Sequence, residues 1–323
     1  MMIGGLLLSA VFAWLALADV HWADLRAALA LARLWLALPF VLLLVAFYWL
    51  KTLRWRMLLE PAASLPAAAL APALMVGFAA NNLLPAHLGE LVRVYLLGRE
   101  HGLARSAVLA SVVLERVFDM LAVLALTFLA LASGNALGDE LRLAGAFLAL
   151  VVVLVLVPAA VLVFRAEWFR RLAAPLLAPL PPRWRARIDG QLAALAAGFG
   201  ALRARHHLAA ILANSLAQWL LMASCVWLAV IAFDIAVPWV APVIVLVLIV
   251  AAITLPSSPG YVGAIEYCFV LGLKAYGVSA SLALSAALFY HALSWCFLTV
   301  AGAFFLRRYG LGWRSLRRAA AQS

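Results

Sequence analysis

Charged side chains are scarce in this chain of 323 residues: Asp, Glu, Lys and Arg make up 11% of it, while 68% of the residues are hydrophobic. A soluble globular domain has about 25% charged residues, so this composition excludes a water-soluble fold. The net charge of +11 forms no separate basic module, and we assign it to membrane topology and anionic lipid, not to nucleic acid. The sequence predicts an all-α polytopic membrane protein, with residues 1–323 forming a single integral membrane domain.

Cysteine is rarer still, with three residues, and the familiar catalytic motifs are missing. Cys225, Cys268 and Cys296 lie in apolar runs without the spacings of a metal site, so we expect packing roles and no metal. The chain has no Gly-x-Ser-x-Gly, His-Glu-x-x-His, Walker A or dinucleotide-binding motif. We accordingly expect no cofactor and no ATP-driven pumping by this chain.

Two polar interruptions break the apolar sequence. The first, NNLLPAHLGELVR, contains Asn81, Asn82, Pro85, Gly89, Glu90 and Arg93. The second, LPSSPGYVG, contains Pro256, Ser257, Ser258, Pro259, Gly260, Tyr261 and Gly263. Backbone that leaves a helix at membrane depth must be shielded by protein or line a wet cavity. Each break is therefore a candidate binding site.

The two breaks belong to a longer internal match. Pro85-xxx-Gly89 has the same spacing as Pro259-xxx-Gly263, at an offset of 174 residues. A further match aligns Gly102 with the glycine 175 residues later, in Gly277-Val278-Ser279. Paired breaks in corresponding halves are the best sequence indicator of a transporter's binding site, so we predict an internal duplication.

Six apolar segments are long enough to cross a hydrocarbon core of about 30 Å. They are residues 2–18, 34–50, 106–132, 143–164, 206–232 and 280–306. Lys51, Arg54 and Arg56 directly follow the second segment, so the positive-inside rule places that end in the cytoplasm. Both termini are then expected to be cytoplasmic.

The two breaks complete the predicted architecture as re-entrant helical hairpins that enter from opposite faces. The first hairpin joins a helix over 67–84 to one over 88–99. The chain divides into repeat one over about 34–164, a cytoplasmic connector over 165–205, repeat two over 206–306 and a basic cytoplasmic tail over 307–323. The halves are related by inverted topology, which is a recurrent transporter plan.

Three ionisable residues lie in the middle of segment 106–132: Glu115, Arg116 and Asp119. Glu115 lies about 15 Å beyond Arg105 at 1.5 Å per residue, close to the bilayer centre. An uncompensated charge there costs at least about 2.5–3.5 kcal/mol, so we expect partners and a polar cavity. Arg116 reaches Asp119 at the i,i+3 spacing. The cluster is either a functional site or a self-neutralising group that only fixes helix packing.

The same cluster suggests proton coupling. One arginine serves two acids, and desolvation opposes the ionised form of a carboxyl while the cation favours it. We therefore expect Glu115 or Asp119 to be protonatable near neutral pH and to couple proton uptake to transport.

Polar groups of the second half complete the candidate site. Tyr290 and His291 lie 13 residues or more beyond Gly277, at the depth of Glu115 in the first half. Glu266 is expected to pair across a cavity, and Ser257, Ser258 and Tyr261 are candidate neutral donors.

An anion is the expected ligand at the breaks. We favour Arg93 as the clamp, because a guanidinium binds phosphate with two parallel hydrogen bonds. Glu90 either pairs with Arg93 or leaves it free for another partner. Helices that begin at Leu88 and Val262 would aim free N–H groups at the same anion.

The strings NNLLPAHLGELVR…GLARSAVLASVVLERVFDM and LPSSPGYVGAIEY…YGVSASLALSAALFYHALSW resemble the flippase-like family related to the transmembrane region of lysylphosphatidylglycerol synthases. The resemblance covers roughly residues 5 to 305. The family motif carries over onto Asn82, Pro85, Gly89, Glu90, Arg93, Glu115, Arg116 and Asp119, then onto Pro256, Pro259, Gly260, Gly263 and Glu266. Those synthases add a soluble aminoacyl transferase domain, whereas this chain is expected to be the flippase portion alone.

The resemblance implies a polar-lipid flippase or scramblase in the inner (cytoplasmic) membrane of a bacterium. An anionic phospholipid, an aminoacylated one or a polyprenyl-phosphate would suit a cavity with Arg93 and Arg116. Two alternatives stay open: a membrane-embedded transferase or hydrolase with Glu115 or Asp119 as base, and a non-transporting partner of a lipid-synthesis enzyme. A homo-oligomer is compatible with each of these.

Overall fold

The computed structural model describes residues 2–84, 88–133, 138–164, 205–254 and 258–309, with short pieces at 175, 181, 183–184 and 188–190. Regular structure in these ranges is helical. The α-helices are α1 Met2–Leu17, α2 Trp22–Ala30, α3 Ala37–Leu59, α4 Ala67–Leu83, α5 Leu88–His101, α6 Arg105–Ala132, α7 Gly138–Phe164, α8 Arg205–Ile231, α9 Val240–Thr254, α10 Ala264–Lys274 and α11 Ala280–Arg308. Pro85, Pro256 and Ser257 lie outside the described residues, as do most of the predicted 165–205 connector and residues 310–323 of the tail.

The prediction of an all-α membrane protein is confirmed for the described part of the chain. Three helical stretches there are long and apolar enough to cross a bilayer: Leu34–Leu59, His207–Ile231 and Ala280–Arg308. Helix α6 has 28 residues, enough for about 42 Å at 1.5 Å per residue, but carries charges in its middle. The six full spans of the sequence analysis stay a prediction.

Helix α3 corrects one sequence-based expectation. The segment 34–50 was expected to end before Lys51, with Lys51 and Arg54 in a cytoplasmic loop. The helix instead continues to Leu59, and the two side chains are only 2% and 0% exposed. They do not mark a loop, because carboxylates of α6 neutralise them inside the protein. Only Arg56 of the three points outward.

The first break joins α4 and α5 in a tight antiparallel hairpin. A Cβ at Gly77 would lie 2.8 Å from the Gly89 carbonyl oxygen and 2.9 Å from Arg93 Cβ, so the two helix backbones touch. Asn81 Oδ1 accepts a 2.8 Å hydrogen bond from the Gly89 N–H. Gly89 is therefore the second residue of α5 and a helix contact, not the helix-breaking residue that the sequence suggested.

Replacement of Gly89 is expected to disrupt this hairpin. In Gly89→Ala the new methyl group would collide with the Gly77 carbonyl oxygen and lie 2.5 Å from Asn81 Oδ1, and both belong to packed helices. Overpacking of this kind costs about 1–3 kcal/mol or more. Gly98→Ala on the same helix is the control, since its methyl group would lie 3.2 Å from Arg105 Cγ and 3.3 Å from the Leu103 carbonyl oxygen, whereas the methyl group at position 89 would overlap the Gly77 carbonyl oxygen. Folded yield in detergent should fall for Gly89→Ala alone; equal yields would contradict the contact.

The second break forms a hairpin of a different local structure. Gly272 of α10 faces Val245 of α9, which places the reversal near residue 258. Gly260 and Tyr261 have positive φ angles of 71° and 61°, and Gly263 follows with 86°. The helix was expected to begin at Val262, but α10 begins at Ala264, because the left-handed Gly263 stands at its N-cap. Gly89 and Gly263 thus match in sequence but not in backbone conformation.

The helix order supports the internal match beyond the breaks. Helices α4, α5 and α6 have 17, 14 and 28 residues, and α9, α10 and α11 of the second half have 15, 11 and 29. Gly102 and Gly277 are both left-handed, with φ of 66° and 76°, and each precedes a long helix by three residues.

Helix α11 brings the two breaks together. Gly302 packs directly on Ala79 of α4. Asn82 Nδ2 donates to the Trp295 carbonyl oxygen at 3.2 Å and to Thr299 Oγ1 at 3.1 Å. A Cβ at Gly260 would lie 3.2 Å from Trp295 Nε1 and 3.5 Å from the Asn82 carbonyl oxygen. The end of α4 and the tip of the second hairpin therefore meet beside Trp295.

Candidate functional site

A network of buried ions occupies the middle of α6. Lys51 Nζ lies 3.1 Å from Glu115 Oε1 and 2.9 Å from Asp119 Oδ2. Arg54 Nη2 lies 2.7 Å from Asp119 Oδ1, and Arg93 Nη1 lies 2.9 Å from Glu115 Oε2. Glu115 is 0% and Asp119 is 3% exposed. Charges so far from water are tolerated only when they are paired in this way.

Aromatic side chains hold the cations of the network. Lys51 Nζ lies 5.3 Å from the centroid of the Phe78 ring, and the guanidinium carbons of Arg93 and Arg116 lie 5.5 Å and 5.9 Å from it. The Arg93 guanidinium also stacks 4.8 Å from the Trp55 ring. The negative face of the ring quadrupole attracts a desolvated cation, so Phe78 links three positive side chains on α3, α5 and α6.

Arg116 has a different partner from the one expected. The i,i+3 spacing suggested Asp119, but the Arg116 guanidinium pairs with Glu90 of α5. The reason is that Asp119 is already occupied by Lys51, Arg54 and the Trp219 Nε1–H, which donates at 3.0 Å. Glu90 and Arg93 therefore have separate partners, and the Arg116 side chain keeps 31% of its surface exposed.

A cavity of about 330 Å³ lies between the two breaks and the ion network. Its polar wall includes Lys51, Asn81, Asn82, Glu90, Arg116, Asp119, Tyr261, Tyr290, His291 and Ser294. Much of the remaining wall is aromatic or apolar, with Phe78, Trp219 and Trp295 among its residues. Ser294 Oγ is buried and has no hydrogen-bond partner among the described residues.

The site residues predicted from sequence divide into two groups. Those on the cavity wall are Asn81, Asn82, Glu90, Arg116, Asp119, Gly260, Tyr261, Tyr290 and His291. Those off the wall are Gly89, Arg93, Glu115, Ser258, Pro259, Gly263 and Glu266. Arg93, the favoured anion clamp, is 1% exposed and pairs with Glu115, so it stabilises the ion network beside the cavity and does not line the cavity. Arg116 is the accessible guanidinium of the pair.

Polar groups also occupy the helix N-termini that were expected to bind an anion. Asn81 Oδ1 accepts the Gly89 N–H at the start of α5. Glu266 Oε2 accepts the Gly263 N–H at 2.7 Å, and so caps α10 with its own carboxylate. Glu266 also contacts His291 on α11, and His291 in turn reaches the Gly260 carbonyl oxygen. These contacts reduce the anion-binding capacity of both termini.

The premise of the proton-coupling prediction is corrected by the same geometry. It assumed one arginine for Glu115 and Asp119 together. Three further cations, Lys51, Arg54 and Arg93, lie within 4 Å of these two carboxylates. The charge balance gives no reason for either acid to carry a proton.

Sequence reasoning missed Lys51, Arg54, Phe78 and Trp219 as parts of the site. The first two read as topology signals because they follow an apolar segment. Their spacing contained a usable sign: Lys51 and Arg54 lie at i,i+3 on one helix face, the arrangement that matches Glu115 and Asp119 at i,i+4 on another. Phe78 and Trp219 have no distinguishing sequence feature.

The fold and site define a class: a multi-pass helical membrane protein with a cavity between two helical hairpins, whose largely apolar wall carries a few charged residues. The family model described as "Lysylphosphatidylglycerol synthase TM region" matches residues 2–302. The chain belongs to this family, as the motif resemblance indicated. No curated protein and no solved structure matches the chain.

Proposed function

We propose that this protein is a polar-lipid flippase or scramblase, whose cavity binds the lipid headgroup. The observation that carries the proposal is the partly exposed Arg116–Glu90 pair on the wall of an otherwise largely apolar cavity. A guanidinium that retains accessible donors can bind phosphate, while Glu90 can accept an ammonium or hydroxyl group of the same headgroup. Membership of a membrane lipid-related family supports this chemistry.

The size of the cavity supports a headgroup as the bound part of the lipid. A volume of about 330 Å³ is at the lower end of ligand-sized pockets. It suits a phosphate with its polar substituent, whereas two acyl chains would have to stay in the surrounding lipid. Trp295, Met222 and Leu298 on the wall offer an apolar surface for the parts of the acyl chains next to the headgroup.

The neighbouring ion network favours transport over catalysis. The sequence offered Glu115 and Asp119 as bases for a transferase or hydrolase. Each carboxylate has at least two cationic partners, and Glu115 is not on the cavity wall. A base that is neutralised in this way is poorly able to accept a proton from a substrate.

Vesicles containing the purified protein and a headgroup-labelled phospholipid test the proposal. Leaflet redistribution of the label, with no change in lipid mass, is expected. A lipid product of changed mass would mean that the protein is a membrane-embedded enzyme. If the label is not redistributed and no lipid changes in mass, the result would favour a non-transporting partner of a lipid-synthesis enzyme.

We further propose that the hairpins are re-entrant and enter from opposite faces of the inner membrane, with both termini cytoplasmic. Arg99 and Arg105 flank the end of α5, and Ser279 lies at the corresponding start of α11; all three are exposed. In cells, single cysteines at 99 and 105 should react with an impermeant reagent only from the cytoplasm, and those at 276–279 only from outside. Labelling of both sets from one side would contradict the inverted repeat.

A further inference from the structure

His291 bridges two elements through both of its ring nitrogens. Nδ1 lies 2.6 Å from Glu266 Oε1 of α10, and Nε2 lies 2.7 Å from the Gly260 carbonyl oxygen at the hairpin tip. A carboxylate and a carbonyl are both acceptors, whereas a neutral imidazole has only one N–H. Both hydrogen bonds form only if the His291–Glu266 pair holds one proton more than a neutral imidazole and a carboxylate would.

The pair is isolated from the large ion network yet connected to the cavity. His291 and Glu266 are 9% and 8% exposed, and His291 is part of the cavity wall. The titratable groups next to them in the sequence or at the tip are Cys268 on α10, Tyr261 and Tyr290, and the cavity wall that includes His291 also carries Lys51, Glu90, Arg116 and Asp119. Helices α4 and α1 contribute the uncharged Asn82 and Ser9 to this region. No cation other than His291 lies within 4 Å of Glu266 among the described residues, so proton exchange is not masked by a permanent ion pair.

The hairpin tip that His291 holds has a strained backbone. Gly260 and Tyr261 are consecutive residues in the left-handed region, and a positive φ is uncommon for tyrosine. Such conformations persist when neighbouring contacts enforce them. Contacts of the described residues at the tip include the His291–Gly260 hydrogen bond, the 2.8 Å bond from the Ser258 N–H to Ser9 Oγ on α1, and the 3.1 Å bond from the Tyr261 N–H to the Ser258 carbonyl oxygen. Loss of the first would leave the strain opposed by fewer contacts.

We propose that His291 and Glu266 form a proton-binding site that controls docking of the second hairpin tip beside the cavity. With the proton bound, His291 donates to both Glu266 and Gly260, and the tip is docked. When the proton leaves to water in the cavity, the remaining imidazole N–H, at Nδ1, keeps its hydrogen bond to the Glu266 carboxylate. The Nε2 lone pair then faces the Gly260 carbonyl oxygen, which repels it, and the tip is released. A role for this step in lipid movement rests on the proposed function; the docking equilibrium does not.

Thiol labelling of the tip measures docking without any transport assay. Cys225, Cys268 and Cys296 are replaced by alanine, and Ser258→Cys provides the reporter at the tip. Ser279→Cys, exposed at the start of α11, is the reference for the thiol's own response to pH. The ratio of the two labelling rates is measured in detergent between about pH 5.5 and 8.5. It is expected to rise about fivefold or more with pH, since a charge-assisted hydrogen bond is lost.

Two substitutions at His291 separate the two hydrogen bonds. The amide nitrogen of His291→Gln occupies the place of Nε2 and donates to Gly260, so the ratio should stay low at every pH. In His291→Asn the amide nitrogen occupies the place of Nδ1 and reaches only Glu266, so the ratio of labelling rates should stay high at every pH. A wild-type ratio independent of pH would overturn the proposal, and so would a pH response that survives in either folded variant. If neither variant folds, the wild-type ratio alone decides.

The result is independent of the proposed function. A pH-dependent ratio in a protein that moves no lipid would support the proton site and reject the flippase. Lipid movement with a pH-independent ratio would support the flippase and reject the proton site. His291 would then be a fixed structural bridge.

Discussion

Lipid translocation is expected to fall about tenfold to a hundredfold in Arg116→Gln, while the protein remains folded. A hydrogen bond to a charged group is worth about 1.5–3 kcal/mol, and the proposed phosphate contact is lost in this variant. The stability of the fold should fall less than the translocation rate. The Arg116 and Glu90 side chains are 31% and 23% exposed, so water can reach the carboxylate of Glu90 in the variant. Vesicle translocation rates per folded molecule give the comparison.

The control for that experiment is Arg99→Gln. It removes the same charge from an exposed position on α5, away from the cavity. Its translocation rate should equal that of the wild type. A double variant, Glu90→Gln with Arg116→Gln, should be as inactive as the single one. Full recovery in the double variant would show that an unpaired Glu90, not a lost phosphate contact, caused the defect.

Arg93→Met is expected to cost about 3–5 kcal/mol in stability, because it removes the buried cation 2.9 Å from Glu115 Oε2, while Lys51 and Arg54 lie nearest to Oε1. Arg93 is 1% and Glu115 is 0% exposed, so water cannot replace the lost partner. The measurement is the free energy of unfolding in mixed micelles.

The matched rescue removes both charges. In Arg93→Met with Glu115→Gln, Lys51 and Arg54 share Asp119 at 2.9 Å and 2.7 Å, so each remaining buried charge still has a partner. Stability should return most of the way to wild type, as for other buried pairs replaced together. A double variant as unstable as Arg93→Met would mean that Arg93 acts through its stacking on Trp55 and Phe78.

The hairpin positions could be predicted from sequence because they depend on local chemistry. A charge-free apolar run before Asn81 and Asn82, and the break at Pro85, leave few alternatives to a pair of helices, and α4 and α5 agree with the expected bounds within two residues. Gly102 and Gly277 were equally informative, since a left-handed turn before a long helix strongly favours glycine.

The partners of the charges could not be predicted in the same way. Spacing along one helix pointed Arg116 to Asp119, but α3 supplies Lys51 and Arg54 to that carboxylate from a distant part of the sequence. The positive-inside rule also misplaced these two residues, because it treats a cation next to an apolar run as exposed. Long-range pairing is decided by how helices pack, and local sequence does not contain that information.

The most direct test of the account is native mass spectrometry of the protein purified in mild detergent. The central claim is that the Arg116 cavity holds a polar lipid by its headgroup. The wild type and Arg99→Gln should therefore retain a phosphate-containing lipid with defined stoichiometry, and Arg116→Gln should retain little of it. Equal amounts of the same lipid on all three folded proteins would contradict the account.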